Sequence, residues 1–321
     1  MSRVTIISMK SKRIFLLLSF SIVFLVGILS GAVIQKTIGV GNVLRAVGIP
    51  YPTTVPPGDP YVLSTAEIPQ AYRGQMYLFI LAGQSNMVGW APVPEGEKTD
   101  PRIYVFSNDY HWRVATEPID RAYNQVDKVS EDRAASYGPA LAFAFASLDR
   151  HPQAVIGLIP CAKSSSAIAQ WQRNLSDQTL YGSCLKRAHA ASPMGHISGV
   201  LFLQGETDAQ DPTLYPDPEP QPFDWGPLFA AFITDLRDDL HEPELPVVFA
   251  QLGHDPLSKD FPNWKIVQEQ QSSIDLPMTA MISTDDLPLL DGLHFTADSY
   301  RTIGRRLSDA YWALAEQAPV N

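Results

Sequence analysis

The sequence is poor in the residues that hold metals or close loops covalently. It has two cysteines and seven histidines in 321 residues, and His, Cys and acidic positions nowhere adopt a zinc-ligand spacing. No glycine-rich phosphate loop is present either, so neither a metal nor a nucleotide cofactor is expected. Basic residues are also scarce. Of 24 Lys and Arg, six lie in residues 1–58, a stretch without one Asp or Glu. The remaining 18 face 34 acidic groups, a net of −16, which argues against nucleic acid or an anionic surface as partner of the C-terminal part. With 45% hydrophobic residues the chain can still bury a sizeable core.

Long apolar runs are absent except one. Residues 14–34 carry no charge, and Arg3, Lys10, Lys12 and Arg13 precede them. That pattern predicts a transmembrane signal anchor after a basic cytoplasmic N-terminus, residues 1–13, with the rest of the chain outside the cytoplasm. The run exceeds the apolar core of a secretory signal, about 7–15 residues, but Ser30-Gly31-Ala32 leaves cleavage and secretion as the alternative. Residues 35–70 hold Pro50, Pro52, Pro56, Pro57 and Pro60 with little periodicity and read as a tether. Residues 71–321 remain as the catalytic domain. Cys161 and Cys184 fit two accounts: a disulfide if the domain is exported, or two buried thiols.

The stretch that organises this domain is Leu78-Phe-Ile-Leu-Ala-Gly-Gln-Ser-Asn-Met. An apolar run ending abruptly at Gly83 has the form of a buried parallel strand, and such sheets place ligands at the carboxyl ends of their strands. Ser85 therefore sits where a nucleophile would, and Asn86 opens a short helix. Met87 stands where the nucleophile elbow of the α/β-hydrolases has its second glycine. Further strands are expected at 102–106, 154–160, 199–203, 246–252 and 282–285, and helices after Pro139, over 228–240 and over 297–316. The 199–203 run ends in Gln204-Gly205-Glu206-Thr207-Asp208, and Asp291-Gly292-Leu293-His294 precedes the last helix. An acid three residues before a histidine can bond its Nδ1 and leave Nε2 facing a serine. Residues 211–227 form a Pro-rich loop with Tyr215, Phe223 and Trp225, either a sugar-stacking surface or a loop that packs its own aromatics.

Gly-Gln-Ser-Asn-Met, Gln-Gly-Glu-Thr-Asp and Asp-Gly-Leu-His in this order resemble the blocks of the SGNH hydrolase superfamily, in its sialate O-acetylesterase-like and acetylxylan esterase-like branch, over residues 75–316. The resemblance implies a three-layer α/β/α sandwich with a mainly parallel, flavodoxin-like sheet of about five strands. It implies a serine esterase acting on O-acetyl groups of carbohydrate without a cofactor. Ser85, Asp291 and His294 would be catalytic, and the N–H groups of Ser85 and Gly138 with the Gln204 amide would hold the oxyanion. Gln84, Asn86 and Glu206 would contact substrate or support the site. The run Lys163-Ser164-Ser165-Ser166 departs from the glycine-rich residues usual there. Two other readings use the same residues: an anchored carbohydrate O-acyltransferase, and a catalytically silent glycan-binding domain.

Overall fold

A computed structural model describes residues 65–317; the expected basic N-terminus, anchor and most of the tether lie outside the described residues. Its frame is set by strands with almost no polar residue. Strand β1 (Met76–Gly83) buries seven of its eight residues, and β2 (Ile103–Phe106), β4 (Ile156–Pro160) and β6 (Val247–Ala250) are buried throughout. β5 (Gly195–Leu203) is buried over its last five residues. Strands buried on both faces need helices above and below. Helix α1 (Ser85–Val88) follows β1 directly. Helices α2 (Ala140–Arg150) and α6 (Ala297–Ala315) pack on Phe79 and Leu81 of β1, while α3 (Leu180–Ala191), α4 (Trp225–Leu240) and α5 (Trp264–Ser272) pack on Leu78, Ile80 and Ala82. The alternation along β1 thus divides the core into two layers around one sheet.

The sheet has seven strands in the order β3-β2-β4-β1-β5-β6-β7, where β3 is Trp112–Val114 and β7 is Thr279–Ile282. All pairings are parallel except β2 with β3. The expectation of about five strands is corrected here. β3 is a three-residue edge strand, too short for a periodic signal. β7 begins three residues before the expected 282–285 run, is partly exposed, and leaves the sheet at Ser283, where Thr284 turns its hydroxyl onto the Gln251 carbonyl at 2.8 Å. Helices α3 and α5 were not expected either.

The chain leaves β1 toward β2 and returns through β4, then continues on the other side of β1 with β5. The ends of β1 and β5 therefore lie at a switch in direction, where open α/β sheets form their crevice. Gly83 makes the close approach possible: it has φ 125°, and a Cβ there would stand 2.0 Å from the Leu203 carbonyl oxygen. Gln84 N–H completes the junction by donating to that same oxygen at 2.7 Å.

Cys161, directly after β4, is disulfide-bonded to Cys184 on α3. A bridge between residues 23 apart stabilises by roughly 3 kcal/mol in the chain-entropy account. Reduction should lower the melting temperature by several degrees, at roughly 2–4 °C per kcal/mol for a domain of this size. An unchanged melting curve after complete reduction would show that the bridge contributes nothing to the folded state.

Candidate active site

Ser85 is the first residue of α1 and is 5% exposed at the end of the central strand. As the first helical residue it has an N–H without an intrahelical acceptor. His294 reaches it from the far end of the chain: Nε2 lies 3.0 Å from Ser85 Oγ, and Nδ1 lies 2.8 Å from Asp291 Oδ2. The carboxylate fixes the tautomer, so Nδ1–H donates to Asp291 and Nε2 accepts from the Ser85 hydroxyl. Asp291 also shapes its own loop, because Oδ1 accepts from the N–H groups of Leu293 at 3.0 Å and His294 at 2.8 Å. Gly292, with φ 87°, allows the turn to be that tight. Partial burial works against ionised Asp291, but bonds from the His294 N–H, the His294 ring and the Leu293 N–H outweigh it and hold the carboxyl below its usual range.

Asn86 lies under this pair and is 2% exposed. Its Nδ2 donates to Glu206 Oε1 at 2.5 Å and to the Leu293 carbonyl at 3.3 Å. Its Oδ1 accepts from the Tyr300 hydroxyl at 2.7 Å and from Phe295 N–H at 3.4 Å. The residue after Ser85 therefore grips both neighbours of His294. Glu206 is buried; burial raises its carboxyl's pKa against the opposing Asn86 bond, and Oε2 finds no hydrogen-bond partner among the described residues. Glu206 bonds Asn86 and not His294.

The two remaining side chains of the strand-end motifs knot loops together. Gln84 Oε1 accepts from Gln204 Nε2 at 3.2 Å, Gly205 N–H at 3.4 Å and Thr207 N–H at 3.2 Å. Gln204 Nε2 also donates to the Ser166 carbonyl at 2.9 Å and Asp208 Oδ2 at 2.5 Å, while its Oε1 accepts from Trp225 Nε1 at 2.8 Å. Both amide hydrogens of Gln204 are thereby committed inside the protein, which corrects its expected place as an oxyanion donor. Gly138 packs on the turn after Ser85, near Met87 and Gly89, and its N–H faces the buried Glu117 carboxyl, which burial pushes up to about 8. Ser165 adopts φ 59°, so the serine run keeps the backbone form that glycine favours at the cost of local strain.

Residues 75–313 match the family described as carbohydrate esterase, sialic acid-specific acetylesterase. The chain belongs to this family. It is a carboxylic ester hydrolase. Over 255 residues it is 31% identical to the "Probable carbohydrate esterase" of Arabidopsis thaliana, a match covering 73% of this chain and 89% of the plant protein. A crystal structure of an Arabidopsis thaliana protein superposes with TM-score 0.63 at 28% identity, covering 75% of this chain and 99% of that one. NanS shares the fold at TM-score 0.58 and 17% identity, over 76% of this chain and 99% of its own. So does a carbohydrate acetylesterase from Xanthomonas citri, at TM-score 0.55 and 22% identity, over 75% of this chain and 57% of its own.

Three residues of this esterase's site were not singled out from its sequence. Asp208, fully buried with its pKa raised by burial to about 6, takes Gln204 Nε2, Ile168 N–H and Gln221 N–H and so ties the connection after β4 to both ends of the connection after β5. It closes the Gln-Gly-Glu-Thr-Asp motif, which was the available signal. Tyr300 reads as an apolar face residue of the last helix, and nothing in that pattern announces its bond to Asn86. Trp90 stacks on the His294 ring, centroids 4.4 Å apart and planes 16° from parallel.

The two acids near the site should separate on substitution. Asp291→Asn is expected to cut turnover of a small acetate ester by about 10²–10⁴-fold, since a triad acid fixes the histidine tautomer. Glu206→Gln keeps an oxygen for Asn86 and should cost less than about tenfold, whereas Glu206→Leu removes the closest acceptor of Asn86 Nδ2 and should lower the melting temperature, as expected for about 1–3 kcal/mol. A larger turnover loss in Glu206→Gln than in Asp291→Asn, at unchanged melting, would reverse these assignments.

Proposed function

We propose that this protein is a serine esterase that removes O-acetyl groups from carbohydrate through an acyl-serine. The observation that carries the mechanism is the unbroken chain of contacts from Ser85 to His294 to Asp291, 3.0 and 2.8 Å long. Ser85 Oγ attacks the ester carbonyl as His294 Nε2 takes its proton; His294 then returns that proton to the departing sugar oxygen. Water then attacks the acyl carbon as His294 Nε2 takes its proton, and that proton passes to Ser85 Oγ as the Oγ–acyl bond breaks and acetate leaves. Asp291 stays ionised throughout and steadies the imidazolium. The Ser85 N–H, left without an intrahelical acceptor, is the oxyanion donor and contributes roughly 3–4 kcal/mol to lowering the barrier. Acetylated carbohydrate as substrate is supported by the family's description and by the name of the Arabidopsis thaliana relative.

The anchor over residues 14–34 belongs to the same proposal. It rests on sequence, since among the described residues no helix is long and apolar enough to cross a membrane. The Cys161–Cys184 bridge supports export, because oxidising compartments favour disulfides. On this reading the esterase works outside the cytoplasm, held by its N-terminal helix.

Ser85→Ala should melt like the wild type and lose nearly all hydrolysis of a small acetate ester, and a phosphonate reagent should label Ser85. Labelling of a different serine, or full activity in the alanine variant, would remove the mechanism. For the anchor, protease treatment of membranes should free the active domain by cutting in the tether between Lys36 and Gln70. A mature N-terminus near Ala32 would mean cleavage instead.

A further inference from the structure

The two hydrogen bonds of His294 leave one motion of its ring unopposed. They hold Nδ1 against Asp291 and Nε2 against Ser85, yet the ring can tip about the line joining its nitrogens while both contacts keep their lengths. Its loop is held at the backbone, by His294 N–H on Asp291 Oδ1 and Leu290 N–H on the His294 carbonyl, while Leu290, Asp291 and Gly292 are exposed. A contact on the ring's face adds a resistance to tipping that two in-plane hydrogen bonds do not give. Trp90 provides one, half-buried and nearly parallel to the imidazole at 4.4 Å.

The chain around Trp90 is built to keep it there. Gly89 N–H donates to the Ser85 carbonyl at 2.9 Å, and Gly89 takes φ 95°. A Cβ at position 89 would stand 2.5 Å from the Ser136 carbonyl oxygen, so only glycine turns the chain here. On either side of Trp90 the segment 136–137 binds the backbone: Ser136 N–H donates to Gly89 O at 3.0 Å, Tyr137 N–H to Ala91 O at 2.9 Å, and the Ser136 hydroxyl to Ala91 O at 2.7 Å. The N–H of Trp90 faces the Tyr300 hydroxyl. Five residues after the nucleophile, the same rigid turn comes back over the base.

We propose that Trp90 is a positioning residue for the reaction: its indole fixes the plane of His294, so that Nε2 points at Ser85 Oγ, and its π-face favours the imidazolium formed as Ser85 attacks. This rests on the serine-esterase reading above and adds a residue that neither the motifs nor the hydrogen bonds of the site include.

The test uses the full-length protein with Trp90→Phe and Trp90→Leu. Phenylalanine keeps a flat face, whereas leucine fills space without one. Trp90→Leu should lower kcat on a small acetate ester by about tenfold or more with KM within about twofold, as misaligned catalytic groups cost up to about 10² in rate. Trp90→Phe should stay within about threefold of the wild type in kcat, with all three proteins melting alike. Should Trp90→Leu fail to fold, Trp90→Met carries the same comparison. Unchanged kcat without a flat face, equal losses in both variants, or a loss confined to KM would overturn the proposal. A wild type that does not need Ser85 for hydrolysis would sink the esterase mechanism instead, which the Ser85→Ala variant reports separately.

Discussion

Everything at this site depends on bringing together residues 209 apart in sequence, and a single buried amide does most of that joining. Asn86 donates to Glu206 and the Leu293 carbonyl and accepts from Tyr300 and Phe295 N–H, so the ends of β1 and β5, the histidine loop and the last helix meet on one side chain. A buried amide with its polar atoms bonded is stable, and one stripped of a partner is costly; the arrangement has one low-energy form. The Ser85–His294 distance follows from it. Because Asn86 is adjacent to Ser85, and Leu293 and Phe295 flank His294, a shift of either loop would break the Asn86 bonds first.

A second knot keeps the crevice floor in place. Asp208, Gln204 and Gln84 are all buried, and they exchange bonds with one another and with backbone groups of the loops after β4 and β5. Buried polar groups of this kind add little net stability when satisfied, but they exclude alternative loop arrangements because each alternative strands a donor or a carboxylate. Gln204 illustrates the division of labour. A residue expected at the chemistry instead holds the loop on which Glu206 stands.

Much of this was legible in sequence where local physics dominates. The buried strand ending in Gly83, the serine just beyond it, and the Asp291-Gly292-Leu293-His294 turn each depend on neighbours within a few residues, and the spacing alone brings Asp291 to Nδ1. β3 carries no periodic signal because it is very short, and β7 lies three residues before the expected run because it is half-exposed at the sheet edge, where apolar patterning weakens. The bonds of Gln204 are not legible in sequence because its partners Ser166 and Trp225 are 38 and 21 residues away and carry no local mark. The stack of Trp90 on His294 likewise depends on a turn that only the packing of Gly89 against Ser136 and Tyr137 creates. The anchor and most of the tether, read from charge and proline, lie outside the described residues.

The central claim is a covalent acyl-serine at the end of β1, and the direct measurement is intact-protein mass followed by peptide mapping after rapid acid quenching of the enzyme with an activated acetate ester. The peptide containing Ser85 should transiently gain one acetyl group and lose it on standing in water. Turnover of the ester with no acetylated peptide at any quench time, or acetyl on a residue other than Ser85, would contradict it.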